Sequence, residues 1–176
     1  EVDKSTRKFE DQQAKLSEPL AVERRAMTLI RNQGNALPLT EAGSQPTAVI
    51  GVYGAEELQV ALEEYMKPIA ARSLNYARQA PRIEEFELNR VLQITDAYRT
   101  IVCIVTGDLE VKSQQKIIRS FRQRGLRVVA VVLGYPRDLA AVQDADAVLL
   151  TYGSIKRLND TMAAVADILV GNAPLE

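Results

Sequence analysis

Asp108 and Glu110 are two carboxylates two residues apart, in the stretch Thr106-Gly107-Asp108-Leu109-Glu110 that follows an apolar run. Hydrolysis of a glycosidic bond uses such a pair, with the carboxyl groups roughly 5–9 Å apart. Residues at i and i+2 can reach that separation, although their side chains usually diverge. The plainer account is that both acids precede a helix, whose dipole favours negative charge there. Asp138, in Gly134-Tyr135-Pro136-Arg137-Asp138, has the same plain account. Other chemistries lack their parts. The chain contains no histidine and one cysteine, Cys103. That excludes a Ser–His–Asp triad, a thiol–imidazole pair, a Cys/His zinc site and an internal disulfide. Cys103 lies in Ile101-Val102-Cys103-Ile104-Val105 and reads as a small buried hydrophobe. Ser154 reads as the N-cap of a last helix. Gly51-Val52-Tyr53-Gly54 has the wrong spacing for a dinucleotide loop, and no Walker A motif is present. A flavodoxin-like nucleotide or flavin site would want a Ser/Thr/Gly-rich loop where the chain carries Tyr53 and Glu56. No catalytic residue, cofactor site or metal site is assigned from these residues.

The elements that must position the two acids alternate along the chain. Strands are expected at Thr47–Val52, Thr100–Val105, Val128–Leu133 and Asp146–Thr151, with a weaker one at Ser73–Tyr76. Helices are expected around Leu58–Met66, over Pro81–Tyr98, Lys112–Arg124 and Arg137–Val142, and at Ile155–Leu169. A further amphipathic helix is read from Val22, Ala26, Leu29 and Ile30, closed by Gly34-Asn35. Continuous apolar strands are buried on both faces, and helical crossovers make them parallel. The expected fold is therefore α/β: a three-layer αβα sandwich with a mostly parallel sheet of about five to six strands, flavodoxin-like in general architecture. Residues 1–19 read as a linker or helical lead-in and residues 20–176 as the sandwich domain. Ligands of such folds bind beyond the carboxyl ends of the strands. The loops there make Asp108, Glu110 and Tyr152 the candidates for a substrate rim.

Composition narrows the partners. With 22 basic and 23 acidic side chains the formal charge is -1, so nothing points to nucleic acid. The cluster Lys116, Arg119, Arg122 and Arg124 reads as the solvated face of a helix. No stretch approaches the ~20 apolar residues of a membrane span. The sequence assigns no compartment.

The segment Ala26-Met27-Thr28-Leu29-Ile30-Arg31-Asn32-Gln33-Gly34-Asn35-Ala36-Leu37-Pro38-Leu39 resembles the start of the C-terminal domain of family 3 glycoside hydrolases, S/T-[IV]-x-L-[LVI]-[KR]-N-x-x-x-x-L-P-L. Later segments agree in order. Val128–Leu133 with Gly134-Tyr135-Pro136-Arg137-Asp138-Leu139 is similar to the family's strand and turn. Ala147–Gly153 is similar to the strand ending in Tyr-Gly in the β-N-acetylhexosaminidase branch, and Val170–Pro174 to the exit toward a final strand. The resemblance implies a parent with an N-terminal (β/α)8 barrel that holds the nucleophilic aspartate, acting on terminal β-linked N-acetylglucosamine. In the β-glucosidase branch a glutamate of this domain, near an E-G-x-D-R pattern, is the acid/base. The chain has Asp108-Leu109-Glu110-Val111-Lys112 instead, so that role does not carry over to Glu110. In the hexosaminidase branch the acid/base is a barrel histidine. The expectation is thus a non-catalytic accessory domain whose partner is the barrel of the same polypeptide, with a carbohydrate at the domain edge and weak homodimerisation of the isolated domain. The alternative is a free-standing carbohydrate- or protein-binding module.

Overall fold

The computed structural model describes residues 26–39, 46–66, 69–75, 82–153 and 155–173. The expected linker at 1–19 and the Ser154 cap lie outside the described residues. Among those described are six strands: β1 (Thr28–Asn32), β2 (Thr47–Gly51), β3 (Ile69–Ser73), β4 (Thr100–Thr106), β5 (Arg127–Leu133) and β6 (Ala147–Leu150). Four α-helices accompany them: α1 (Ala55–Glu63), α2 (Glu85–Ile94), α3 (Val111–Gln123) and α4 (Leu158–Leu169). The sheet order is β1-β6-β5-β4-β2-β3; β2 to β6 are parallel and β1 is antiparallel to β6. No helix among the described residues is long and apolar enough to cross a membrane.

The αβα sandwich follows from alternation in the strands. Side chains at successive positions point to opposite faces, so a strand apolar throughout must be covered twice. Val102 and Ile104 of β4 and Val129 and Val131 of β5 enter one core with Leu58 and Leu62 of α1 and Met162, Val165 and Leu169 of α4. Ile101, Cys103 and Val105 of β4 and Val128, Ala130 and Val132 of β5 enter the other, with Val91 of α2 and Ile117, Ile118 and Phe121 of α3. β4 and β5 lie in register from Thr100–Arg127 to Thr106–Leu133. They form the centre of the sheet.

Two sequence expectations fail here, for tertiary reasons. The helix read through Leu29 and Ile30 ends early: Ala26 is helical, and Thr28–Asn32 is a strand. Without β1, β6 would be a sheet edge with open N–H and C=O groups, and pairing satisfies them. Ala26, Leu29 and Ile30 fit an i, i+3, i+4 helix pattern, while Met27 and Leu29 fit strand alternation equally well. Gly34 and Asn35 do take positive φ, 60° and 52°, but they turn the chain after a strand. The weak strand expected at Ser73–Tyr76 lies at Ile69–Ser73, where it pairs residue by residue with β2. Its Ala70-Ala71-Arg72 centre carries little apolar signal because β3 is the outermost strand.

The turn after β1 is closed by one side chain. Asn32 Nδ2 donates to the Leu37 carbonyl at 3.0 Å, and Leu37 N–H donates to Asn32 Oδ1 at 2.9 Å. The amide thus substitutes for a missing strand partner and delivers Leu37 and Leu39, both buried, into the first core. Arg31 beside it donates to the carbonyls of Gln143 (2.6 Å) and Ala145 (3.0 Å), fixing β1 to the turn that leads into β6. This explains the Arg-Asn-x-x-x-x-Leu-Pro-Leu spacing physically. Asn32→Ala is expected to lower the unfolding free energy in urea by about 1–3 kcal/mol, the cost of leaving both Leu37 groups unsatisfied. Asn32→Asp, which keeps only the acceptor, is expected to be destabilising as well.

Candidate functional site

The carboxyl ends of the parallel strands open onto loops, and specific side chains hold several of those described. Gln114 of α3 is buried. Its Oε1 accepts from Thr106 N–H at 3.0 Å, and its Nε2 donates to the carbonyls of Thr106 (2.9 Å) and Leu109 (3.1 Å). The loop carrying Asp108 and Glu110 is therefore fastened at both ends. Asp138 is buried between this loop and the next. Its Oδ2 accepts from Tyr135 N–H at 3.0 Å, capping the 3-10 turn Pro136–Val142. Gly134, at φ 147°, passes so close that a Cβ there would collide with the Asp138 carboxylate, and a Cβ on Gly107 would lie 3.2 Å from its Oδ1. Asp138 is structural, as its position at the start of a helical turn suggested.

The three rim candidates part company in the structure. Glu110 occupies the N-cap position of α3 and accepts from Ser113 Oγ at 3.0 Å, and Ser113 in turn accepts from Ile83 N–H at 3.2 Å. Its carboxylate is thus tied to the helix start. Asp108 is exposed, and its carboxylate meets no cation among the described residues. Tyr152 is 46% exposed and sits at φ 53°, a left-handed conformation rare for a side-chain-bearing residue. The chain is held there by Gly153, whose N–H donates to Thr151 Oγ1 at 2.9 Å and where a Cβ would meet Thr161 Cγ2 at 2.7 Å. The close approach of this turn to α4 turns the Tyr152 ring outward. Backbone strain of this kind collects at functional surfaces.

A further carboxylate lies near this edge, one that sequence reasoning did not isolate. Glu87 of α2 is 1% exposed. Its Oε1 accepts from Asn75 N–H at 2.9 Å, and Arg90 donates to it at 2.6 Å and to its Oε2 at 2.8 Å. Arg90 also donates to the Ser73 carbonyl at 3.0 Å, so the pair anchors the exit of β3. The Arg90 guanidinium, helped by the Asn75 amide, holds the Glu87 carboxyl below its ordinary range despite burial. A carboxyl held ionised in this way is unsuited to donating a proton at neutral pH. Only burial plus charge on one helix turn marks it, and Glu-x-x-Arg spacing is too common to single out in sequence.

Cys103 is fully buried in β4, and burial pushes its thiol up to about 12, so it stays protonated. Among the described residues no group of three or more His, Cys, Asp or Glu side chains is placed to hold a metal ion. Gly51, part of the string compared with a nucleotide loop, packs against β4: a Cβ there would lie 2.9 Å from Ile104 Cβ. The edge is a braced platform that presents Asp108 and Tyr152, with Asp138 and Glu87 buried and bonded and Glu110 bonded to Ser113.

No family model and no curated protein matches the chain. Solved structures do. A glycoside hydrolase family 3 β-N-acetylglucosaminidase from Paenibacillus superposes with a TM-score of 0.70 at 15% identity, covering 89% of this chain and 30% of that one. The chain has the fold of a family 3 glycoside hydrolase domain. A fungal multi-domain GH3 β-N-acetylglucosaminidase gives 0.66 at 15% identity, over 94% of this chain and 18% of that one. A β-glucosidase from Listeria innocua gives 0.64 at 15% identity, over 87% and 24%. The chain thus spans less than a third of the length of the enzymes whose fold it shares.

The Glu87 pair has a pH signature. Because its folded pKa is lowered, its contribution is complete above the unfolded glutamate pKa and is lost as pH falls through the folded value. Glu87→Gln is therefore expected to cost about 1–3 kcal/mol at pH 7 and to flatten the acid limb of the stability curve below the ordinary glutamate range. Urea unfolding from pH 7 down to pH 3 measures both.

Proposed function

We propose that the chain is an accessory αβα domain of a family 3 glycoside hydrolase of the β-N-acetylhexosaminidase kind, and that it supplies no catalytic carboxylate. The observation that carries the reading is the match of nearly the whole chain to under a third of a β-N-acetylglucosaminidase. The state of several edge acids fits it: Asp138 and Glu87 are buried and bonded within the fold, and Glu110 accepts from Ser113, so none of the three is placed as a free catalytic carboxylate.

The proposed partner is a (β/α)8 barrel of the same polypeptide, docked on the carboxyl edge of the sheet. Five of the exposed large apolar side chains belong to loops or first helical turns at that edge: Phe86, Val111, Tyr135, Tyr152 and Ile155. Apolar surface gathered on one edge marks an interaction site. Arg137 lies 5.9 Å from the Tyr135 ring centroid, so the patch mixes aromatic and cationic character, as interface cores do. Asp108 and Tyr152 would then stand at the rim of the barrel cleft, where a terminal N-acetylglucosamine is the proposed substrate.

The experiment is hydrolysis of a chromogenic N-acetyl-β-glucosaminide by this chain and by the full-length polypeptide. The expected result is turnover by the latter alone; turnover by this chain would overturn the reading and direct attention to Asp108 and Glu110. In the active full-length protein, Tyr152→Ala is expected to lower kcat/KM about tenfold, or ~1.4 kcal/mol of transition-state stabilisation, without changing the melting temperature. The isolated chain, its docking edge uncovered, is expected to self-associate weakly. Sedimentation velocity at rising concentration checks this, and a strictly monomeric profile up to millimolar chain would count against the edge as the docking face.

A further inference from the structure

The opposite end of the sheet carries a concentration of arginine that the glycosidase reading does not use. Four basic residues of α3 and its C-cap each pair with an acid from another element. Lys116 pairs with Glu85, Arg119 with Asp144 at 3.1 Å, Arg122 with Asp146 at 3.0 Å and Arg124 with Asp96 at 3.0 Å. They are ion pairs between elements, a more specific arrangement than the solvated helix face expected from sequence. Asp96, Asp144 and Asp146 are engaged in these pairs.

Three arginines are left over. Arg31 donates to backbone carbonyls, Arg99 donates to the carbonyl of Tyr98 at 3.1 Å, and Arg127 is exposed; none meets a carboxylate among the described residues. The backbones of Arg99 and Arg127 are neighbours at the start of β4 and β5, because Arg127 N–H donates to the Arg99 carbonyl at 2.9 Å. Both line an open depression of about 400 Å³ together with Arg122, Asp146, Gly34 and Gly125. The two glycines put no side chain over it. An adjoining depression of about 480 Å³, sharing Arg122 and Asp146, adds Arg31 and Arg119. Across both, five arginines face two aspartates that are already paired, on a chain whose formal charge is -1.

Unpaired guanidiniums gathered in a concave, polar recess attract an anion, and their planar forks fit the oxygens of a phosphate group. We infer that the depression between Arg99 and Arg127 is a phosphate-binding site, for free phosphate or the phosphate of a small ester, on the face remote from the carboxyl edge. Arg99 and Arg127 donate to the anion, and Arg122, fixed by Asp146, adds positive field. The inference stands independently of the glycosidase reading.

The test is an NMR titration of the chain with inorganic phosphate and, separately, with glucosamine 6-phosphate, each against sodium chloride at matched ionic strength. Saturable shifts of the Gly34 and Gly125 amides with either phosphate, absent with chloride, are expected. Equal half-saturation by the two ligands assigns recognition to the phosphate group alone; tighter binding of the ester assigns it to a sugar phosphate. Arg99→Gln and Arg127→Gln are each expected to weaken binding about tenfold, while leaving the urea midpoint unchanged because both side chains are exposed. Shifts that are linear, that chloride reproduces, or that persist unweakened in the double variant would overturn the site.

Discussion

Pairing of β4 with β5 over seven residues, with nearly every side chain on both faces buried, is the constraint on which the rest depends. A sheet that must be dry on both sides needs a helical layer on each, and that requirement sets the two cores. Phe121 and Ile118 of α3 close one side; Met162, Val165 and Leu169 of α4 close the other. Helices fixed in this way begin at the carboxyl edge of the sheet and end at the amino edge. The two edges consequently acquire different chemistry: loop exits and helix starts at one, helix ends and strand starts at the other.

At the carboxyl edge, polar side chains are spent on bracing. Gln114 takes three backbone partners, Asp138 joins two loops, and Glu87 with Arg90 secures the exit of β3. Buried polar groups are tolerable only when satisfied, and these are. A braced edge that exposes aromatic and aliphatic side chains is suited to docking against a rigid partner, because little motion must be frozen on contact. Ser113 donates to the exposed Glu110 carboxylate at the start of α3, whereas Asp108 stands exposed beside it.

At the amino edge, the carboxylates stitch elements together. Asp146 accepts from Val128 N–H at 2.8 Å as well as pairing with Arg122, so it joins β6, β5 and the end of α3. Exposed pairs of this type contribute little individually. Their consequence here is electrostatic: with Asp96, Asp144 and Asp146 committed, Arg99 and Arg127 carry the surplus around the recess they line.

The α/β class, the positions of β2, β4, β5 and β6 within a residue or two, and the exclusion of triad and Cys/His zinc chemistry were all written in the chain, because strand burial on two faces forces long apolar runs and a missing histidine cannot be supplied by folding. Asp108, Glu110 and Tyr152 were legible as loop residues at the carboxyl edge of the sheet, since topology alone places loops. The tertiary structure decided what local pattern could not. Leu29 and Ile30 satisfied helix and strand periodicity alike, and the open edge of β6 chose the strand. Asp108 and Glu110 looked equivalent as i and i+2 acids until Ser113 bound one of them. Glu87 and Arg90 carried no signal of their own within the helix expected over Pro81–Tyr98; the packing of α2 over the exit of β3 buries the glutamate. Lys116, Arg119, Arg122 and Arg124 were legible as a solvated helix face, and their side chains are exposed; their ion-pair partners Glu85, Asp96, Asp144 and Asp146 come from other elements that only the folded chain brings together.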